Sequence, residues 1–311
     1  MSDKVYDTVI VGGGPAGSTA AVYAARKKLK SAIVTDAWGG QSTVSDDIQN
    51  WIGFPHIKGS ELAKRLQEHV QEYADDVLDI IFPDRVVSIE KKDGGFLVKT
   101  EKGEELQTKT LLYTAGSLRR KLPAKGADEF EHKGLTYCAS CDGPLFAGKD
   151  VIVVGGGNAG FESAAQLLAY ANSVTLFEFG DKFAADPITV DKLMQNPKFS
   201  AKTSVEITEV LGDVFVTGVK YKDRKTGEEK EMKTDGIFVE IGMVPNTDLV
   251  KDLVKINKWG KIEIDPWTQK TSLEGVWAAG DCTNILYHQN NIASGDAVVA
   301  MEDIYVYLNT K

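Results

Sequence analysis

At 311 residues the chain is long enough for two domains of ordinary size. Its apolar share of 42% and charged share of 26% are those of a soluble globular protein. A net charge of −9 with no basic block argues against nucleic acid or an anionic membrane surface as a partner.

The chain starts Met1-Ser2-Asp3-Lys4 and passes straight into an apolar strand over 5–11. It lacks the basic segment, apolar stretch and cleavage site of a signal peptide. No apolar run reaches the ~18 residues that span a bilayer. A cytoplasmic location is therefore expected. In that reducing compartment three cysteines suggest a catalytic pair and not a disulfide scaffold.

The first strand runs into Gly12-Gly13-Gly14-Pro15-Ala16-Gly17 and an Ala-rich helix over 16–27. A second strand over 31–36 ends in Asp36, 24 residues past Gly12, near the ~20-residue offset of a ribose-binding acid. The glycines permit a tight turn and close backbone approach, so that a pyrophosphate can rest on the helix N-terminus. The bland alternative is a Gly-rich strand–helix turn that holds nothing. Asp46 and Asp47 read as solvated loop carboxylates. Trp51 beside Asn50 reads first as core packing and second as a neighbour of a flavin. Ser60 is the expected N-cap of a helix whose Leu62, Leu66, Val70 and Tyr73 share one face. Short strands follow over 86–115, broken at Asp93-Gly94-Gly95 and Lys102-Gly103-Glu104.

The pattern then repeats. A strand from Val151 enters Gly155-Gly156-Gly157-Asn158-Ala159-Gly160, a helix over 159–169, and a strand over 174–178 ending in Glu178. A carboxylate there accepts hydrogen bonds from a ribose 2′-hydroxyl and repels a 2′-phosphate. Of the residues just after it, only Lys182 could neutralise a phosphate, so NADH is favoured over NADPH. A hairpin turns at Lys225-Thr226-Gly227, a buried strand ends at Gly280-Asp281, and a final helix covers 294–308. Crossings near Gly116-Ser117-Leu118 and Met243-Val244-Pro245 would insert a domain over 118–244 into one made of 1–117 and 245–311. The expected fold class is α/β, with two Rossmann-like three-layer ββα domains.

Between the two fingerprints lies Cys138-Ala139-Ser140-Cys141-Asp142. A CxxC pair suits thiol–disulfide exchange, one thiol attacking and the other resolving. A short helix starting near Cys138 would lower its pKa, and Asp142 could carry a proton. A zinc site would need four ligands, with only Cys282 and His132 to add and no partner motif; a merely structural pair is the other alternative. No metal is expected. Cys282 reads as a small buried hydrophobe. His288 reads equally as a phosphate contact or a surface histidine.

These motifs, with Gly39-Gly40-Gln41, Asn50-Trp51 and Ala279-Gly280-Asp281, resemble low-molecular-weight thioredoxin reductases along essentially the whole chain. The stretches at 141–146, 176–179 and 242–247 are even more similar to the reductase portion of the alkyl hydroperoxide reductase flavoprotein subunit. Proteins of that kind carry an extra N-terminal thioredoxin-like domain, which is not expected here because the first strand starts at Val5. The resemblance implies a homodimer with FAD bound by Gly12, Gly14, Pro15, Ala16, Gly17, Asp36, Gly40, Gln41, Asn50, Gly280, Asp281, Gln289 and Asn290, with backbone from Val87, Ala115 and Gly116. From the second fingerprint and its acid, NADH is expected at Gly155, Gly157, Asn158, Ala159, Gly160 and Glu178. Cys138 would attack the protein substrate, Cys141 would face the flavin C4a, and Asp142 would manage the proton. The family alternates between two domain orientations, and short crossings suit such a rotation.

The chain departs from NADPH-dependent members, whose His-Arg-Arg cluster it replaces with 177–183, Phe-Glu-Phe-Gly-Asp-Lys-Phe. Phe161 and Phe179 could crowd the nucleotide site. The leading expectation is an FAD-dependent disulfide reductase that takes electrons from NADH and acts on a thioredoxin-like protein or a peroxiredoxin-system protein. The alternatives are reduced ferredoxin or another non-nicotinamide donor for the same chemistry, and a non-catalytic flavin-bound redox sensor.

Overall fold

The computed structural model describes residues 4–45 and 47–310. Met1, Ser2, Asp3 and the loop carboxylate Asp46 lie outside the described residues. The chain forms two compact units, one of Met1–Val44, Trp51–Leu118 and Val244–Lys311, the other of Ser45–Asn50 and Arg119–Met243.

In the first unit the elements run β1 (Val5–Gly13), α1 (Pro15–Arg26), β2 (Ser31–Trp38), α2 (Gly59–Ala74), β3 (Leu78–Ile81), β4 (Val86–Lys92), β5 (Gly95–Thr100) and β6 (Glu105–Tyr113). The chain leaves through the short extended β7 (Ser117–Arg119). β3, β2, β1 and β6 lie side by side, all parallel. The first half of β6 pairs antiparallel with β5, which pairs with β4.

β1 shows why these strands read as unbroken apolar runs. Ile10 faces a core of α1 and the α2 side chains Ala63 and Val70, while Val9 and Val11 face a second core with Ile89, Phe96 and Val98. Successive strand residues point to opposite faces, and here both faces are covered. The helix at Gly59 corrects one expectation: its N-cap is Lys58, with no side-chain cap bond, and Ser60 lies inside the helix.

The second unit holds β8 (Leu135–Thr136), α3 (Ala139–Asp142), β9 (Asp150–Val154), α4 (Asn158–Leu167), β10 (Ser173–Phe177), α5 (Pro187–Met194), β11 (Phe199–Lys202), β12 (Val205–Gly212), β13 (Val216–Asp223), β14 (Glu229–Lys233) and β15 (Gly236–Val239). Its parallel sheet has the order β11-β10-β9-β15-β8. Helices cover one face through Phe161, Ala164 and Leu167. The antiparallel β12-β13-β14 sheet covers the other through Val210, Val219 and Tyr221. The chain returns through β16 (Met243–Pro245) to β17 (Val276–Ala278), which pairs with the second half of β6, and to α6 (Asn290–Thr310), packed against α1. Each unit is thus an α/β Rossmann-like layer structure, the second interrupting the first along the chain. Among the described residues no helix is long and apolar enough to cross a membrane.

Candidate active site

Cys138 and Cys141 are joined in a disulfide with Cα atoms 5.3 Å apart. Cys138 is extended and caps α3: its Sγ accepts the Cys141 N–H at 3.2 Å. Once the bond opens, that donor favours the charged over the neutral sulfur at Cys138. Asp142, the last residue of the same turn, accepts a hydrogen bond from Thr136 at the end of β8. The parallel pairing of β8 with β15 sets Thr136, so the sheet positions the carboxylate beside the pair. Both cysteines are half-buried, reachable yet partly screened.

The two fingerprints share one steric logic. A Cβ on Gly17 would fall 1.7 Å from Gly12 O, and on Gly160 it would fall 1.9 Å from Gly155 O. Those glycines let each helix pack onto its strand. The middle glycines differ: a Cβ on Gly14 would meet only Gly40 Cα at 3.9 Å, and on Gly157 nothing within 4 Å. Space is left at the N-termini of α1 and α4, where no side chain caps the first turn. Uncapped N–H groups facing open space fit a pyrophosphate at both turns.

Around the first turn, Pro15 and Ala16 open α1, and Asp36 is exposed near the end of β2. Gly40 and Gln41 begin a short turn that Ser42 ties to α6, its Oγ donating to Asn290 Oδ1 at 2.9 Å. Gln289 directly precedes Asn290. Asn246 Nδ2 donates to Ala115 O at 2.8 Å, and its N–H to Gly116 O at 3.0 Å. Ser42 and Asn246 were not singled out from sequence, since each acts on a segment remote along the chain. Val87 lies where the β4–β5 register slips, so its backbone is left out of that ladder. Asn50 belongs to the Ser45–Asn50 segment of the second unit. Trp51 is only half-buried, so core packing does not account for it.

His288 is half-buried and not a plain surface group. Its Nε2 lies 2.6 Å from Lys261 Nζ, and its Nδ1 lies 3.3 Å from Asp281 Oδ1. The shorter contact requires one of the two nitrogens to lack its proton. Burial pulls the Lys261 ammonium below its ordinary range. Asp296, on α6, is pushed up by burial, and its Oδ2 is buried with no partner among the described residues. An orphaned carboxyl oxygen beside Gly280-Asp281 fits a polar group supplied by a bound cofactor. Cys282 is fully buried, its thiol pushed up to about 12, which makes it an inert core residue.

In the second unit Glu178 Oε2 accepts the Gly156 N–H and Oε1 accepts the Gly180 N–H, both at 2.5 Å. Asn158 Oδ1 accepts the Asp186 N–H at 2.8 Å, tying the first turn of α4 to the start of α5. Phe161 corrects an expectation. It is fully buried against Phe183 and Phe199 and cannot crowd a ligand. Phe179 is exposed, with the Arg224 guanidinium stacked on it. Lys182 is therefore not the only cation near Glu178. Arg224 comes from the β13–β14 turn, too distant in sequence to be read beside it. Glu240, just past β15, was also missed: it accepts from Ser163 Oγ at 2.7 Å, and burial pushes its carboxyl up. Its signal was its place after a parallel strand, the edge at which such sheets bind ligands.

The pyridine nucleotide-disulphide oxidoreductase family matches residues 6–301. An NADH dehydrogenase of Bacillus subtilis strain 168 is 41% identical over 303 residues, covering 97% of this chain and 58% of that protein. The F subunit of an alkyl hydroperoxide reductase of Staphylococcus aureus strain Mu50 is 42% identical over 303 residues, covering 97% of this chain and 59% of that protein. This chain thus spans less than two thirds of either relative. Among solved structures, a thioredoxin reductase from Streptococcus pyogenes MGAS5005 superposes with a TM-score of 0.90 at 35% identity, covering 100% of both chains.

Proposed function

Because this chain belongs to the pyridine nucleotide-disulphide oxidoreductase family, we propose that it reduces the disulfide of a thioredoxin-like protein, with NADH as donor and FAD as carrier. The observation that carries this reading is the Cys138–Cys141 disulfide, with an N–H already directed at Cys138 Sγ and a carboxylate next to Cys141. FAD, when bound, would pass two electrons from the nucleotide to this disulfide. We assign it to 1–117 and 245–311, at the Gly12–Gly17 turn with Asp36, Gly40, Gln41, Gly280 and Asp281. The nucleotide is assigned to 118–244, at the Gly155–Gly160 turn with Glu178.

In the reduced protein Cys138, held as thiolate by the Cys141 N–H, attacks one sulfur of the partner's disulfide. A mixed disulfide forms and the partner's other sulfur leaves as a thiolate. Cys141 then gives its proton to Asp142 and attacks Cys138 Sγ. The Cys138–Cys141 bond re-forms and the partner leaves as a dithiol, having gained two electrons from the pair, one proton from Asp142 and one from solvent.

The carboxylate of Glu178 supports NADH over NADPH, since a 2′-phosphate would face its charge. The names of the two relatives, one an NADH dehydrogenase and the other part of an alkyl hydroperoxide reductase, support the same donor and a peroxiredoxin-system protein as partner. The reading is tested by NADH oxidation coupled to purified thioredoxin or to a thioredoxin-like domain of a peroxide-reducing system. Turnover that needs both FAD and the partner's disulfide is expected. NADH oxidation that ignores the disulfide would overturn it.

A further inference from the structure

Arg224 lies over Phe179, its guanidinium carbon 3.7 Å from the ring centroid. The pair is also pinned by its backbone. Arg224 Nη1 donates to Phe179 O at 2.7 Å. The Arg224 N–H donates to Ser204 O at 2.8 Å, and the Ser204 N–H to Gly180 O at 2.7 Å. Two distant segments are thus locked together at the residue that follows Glu178. Yet the ring is 54% exposed, and Arg224 is exposed too. Stacking on a guanidinium orders an aromatic plane without removing it from water.

We propose that the Phe179–Arg224 pair is a platform that takes the adenine ring of the nucleotide by stacking. This rests on the reading of the second fingerprint as a pyridine-nucleotide site. A purine joined to a ribose held at Glu178 falls beside the next residue, and every nucleobase offers a π-face to such a surface. Arg224 is not a 2′-phosphate clamp. One guanidinium nitrogen is committed to Phe179 O, and the Glu178 carboxylate stands at the start of the same loop.

The test is calorimetric titration of the FAD-loaded protein with ADP-ribose, 2′-phospho-ADP-ribose and reduced nicotinamide mononucleotide, which has no adenine. Phe179→Ala and Arg224→Met should each weaken ADP-ribose about tenfold, as loss of one base stack does. Both should leave the mononucleotide unchanged, and Phe179→Tyr should bind as the parent does. Should Phe179→Ala not fold, Phe179→Leu, which keeps apolar bulk but loses the π-face, is expected to show the same loss. Equal ADP-ribose binding by parent and variants would overturn the platform, as would equal losses for the mononucleotide. Tighter binding of 2′-phospho-ADP-ribose, abolished in Arg224→Met, would make Arg224 a phosphate ligand instead. A parent protein that binds none of the three would refute the nucleotide reading itself.

Discussion

Glu178 closes the glycine turn that it was expected only to flank: Oε2 accepts the N–H of Gly156 at 2.5 Å. Its second oxygen holds Gly180. One side chain therefore shapes the turn and presents negative charge to a ribose. Glu178→Gln keeps the shape but supplies a single acceptor oxygen, leaving one N–H without its partner. That loss costs about 1–3 kcal/mol. NADH should bind roughly tenfold or more weakly, with a lower melting temperature as well. Unchanged NADH binding in Glu178→Gln would remove Glu178 from the site.

The glycines separate packing from binding. Gly157 has φ of −87° and open space at its Cβ, so Gly157→Ala should fold; the entropy gained by removing a glycine is offset by the poorer fit of alanine at the α4 N-cap, which keeps stability within about 1 kcal/mol of the parent. It should nevertheless lose nucleotide affinity, because the methyl enters the space left for the pyrophosphate. Gly160→Ala would put a methyl against Gly155 O and should unfold the second unit. Thermal melts and NADH titrations of both variants check this. A Gly157→Ala protein that binds NADH as well as the parent would show that the open space is not the nucleotide's.

Exchange chemistry predicts opposite failures for the two cysteines. Cys138→Ser should abolish reduction of a protein disulfide while FAD stays bound. Cys141→Ser should accumulate a mixed disulfide at Cys138, visible as a mass shift that dithiothreitol reverses. Loss of FAD from Cys138→Ser would contradict the assignment of the pair as an exchange site.

Glu240 sets a pH dependence. Its carboxyl is raised by burial, so the folded state holds its proton more tightly than the unfolded state. The stabilisation is complete at low pH and is lost as pH rises through the folded value. Glu240→Gln, which stays neutral and can still accept from Ser163, should melt several degrees higher than the parent at pH 8. The two should converge in acid. Parallel melting curves across that range would show that burial does not control this group.

The repeated strand–turn–helix units were legible because each depends on neighbours in sequence: apolar runs buried on both faces, glycines at fixed offsets and a terminal acid. The half-helical turn at Cys138 followed for the same reason. What escaped was tertiary. Ser42 meets Asn290, and Arg224 meets Phe179, only because the folded sheet brings their elements together. Ser60 failed as a cap because Lys58 turns the chain one residue before the helix begins. Phe161 does not crowd the nucleotide site because its face of α4 packs on the sheet.

The central claim is that NADH delivers electrons to this dithiol through a flavin. It is tested most directly by anaerobic titration of the FAD-loaded protein with NADH and, separately, with NADPH, following the flavin absorption band. Rapid bleaching by NADH, with little by NADPH, and recovery of colour on adding oxidised thioredoxin is the predicted result. No bleaching by NADH in protein that dithionite still reduces would contradict the account and turn attention to ferredoxin or another non-nicotinamide donor.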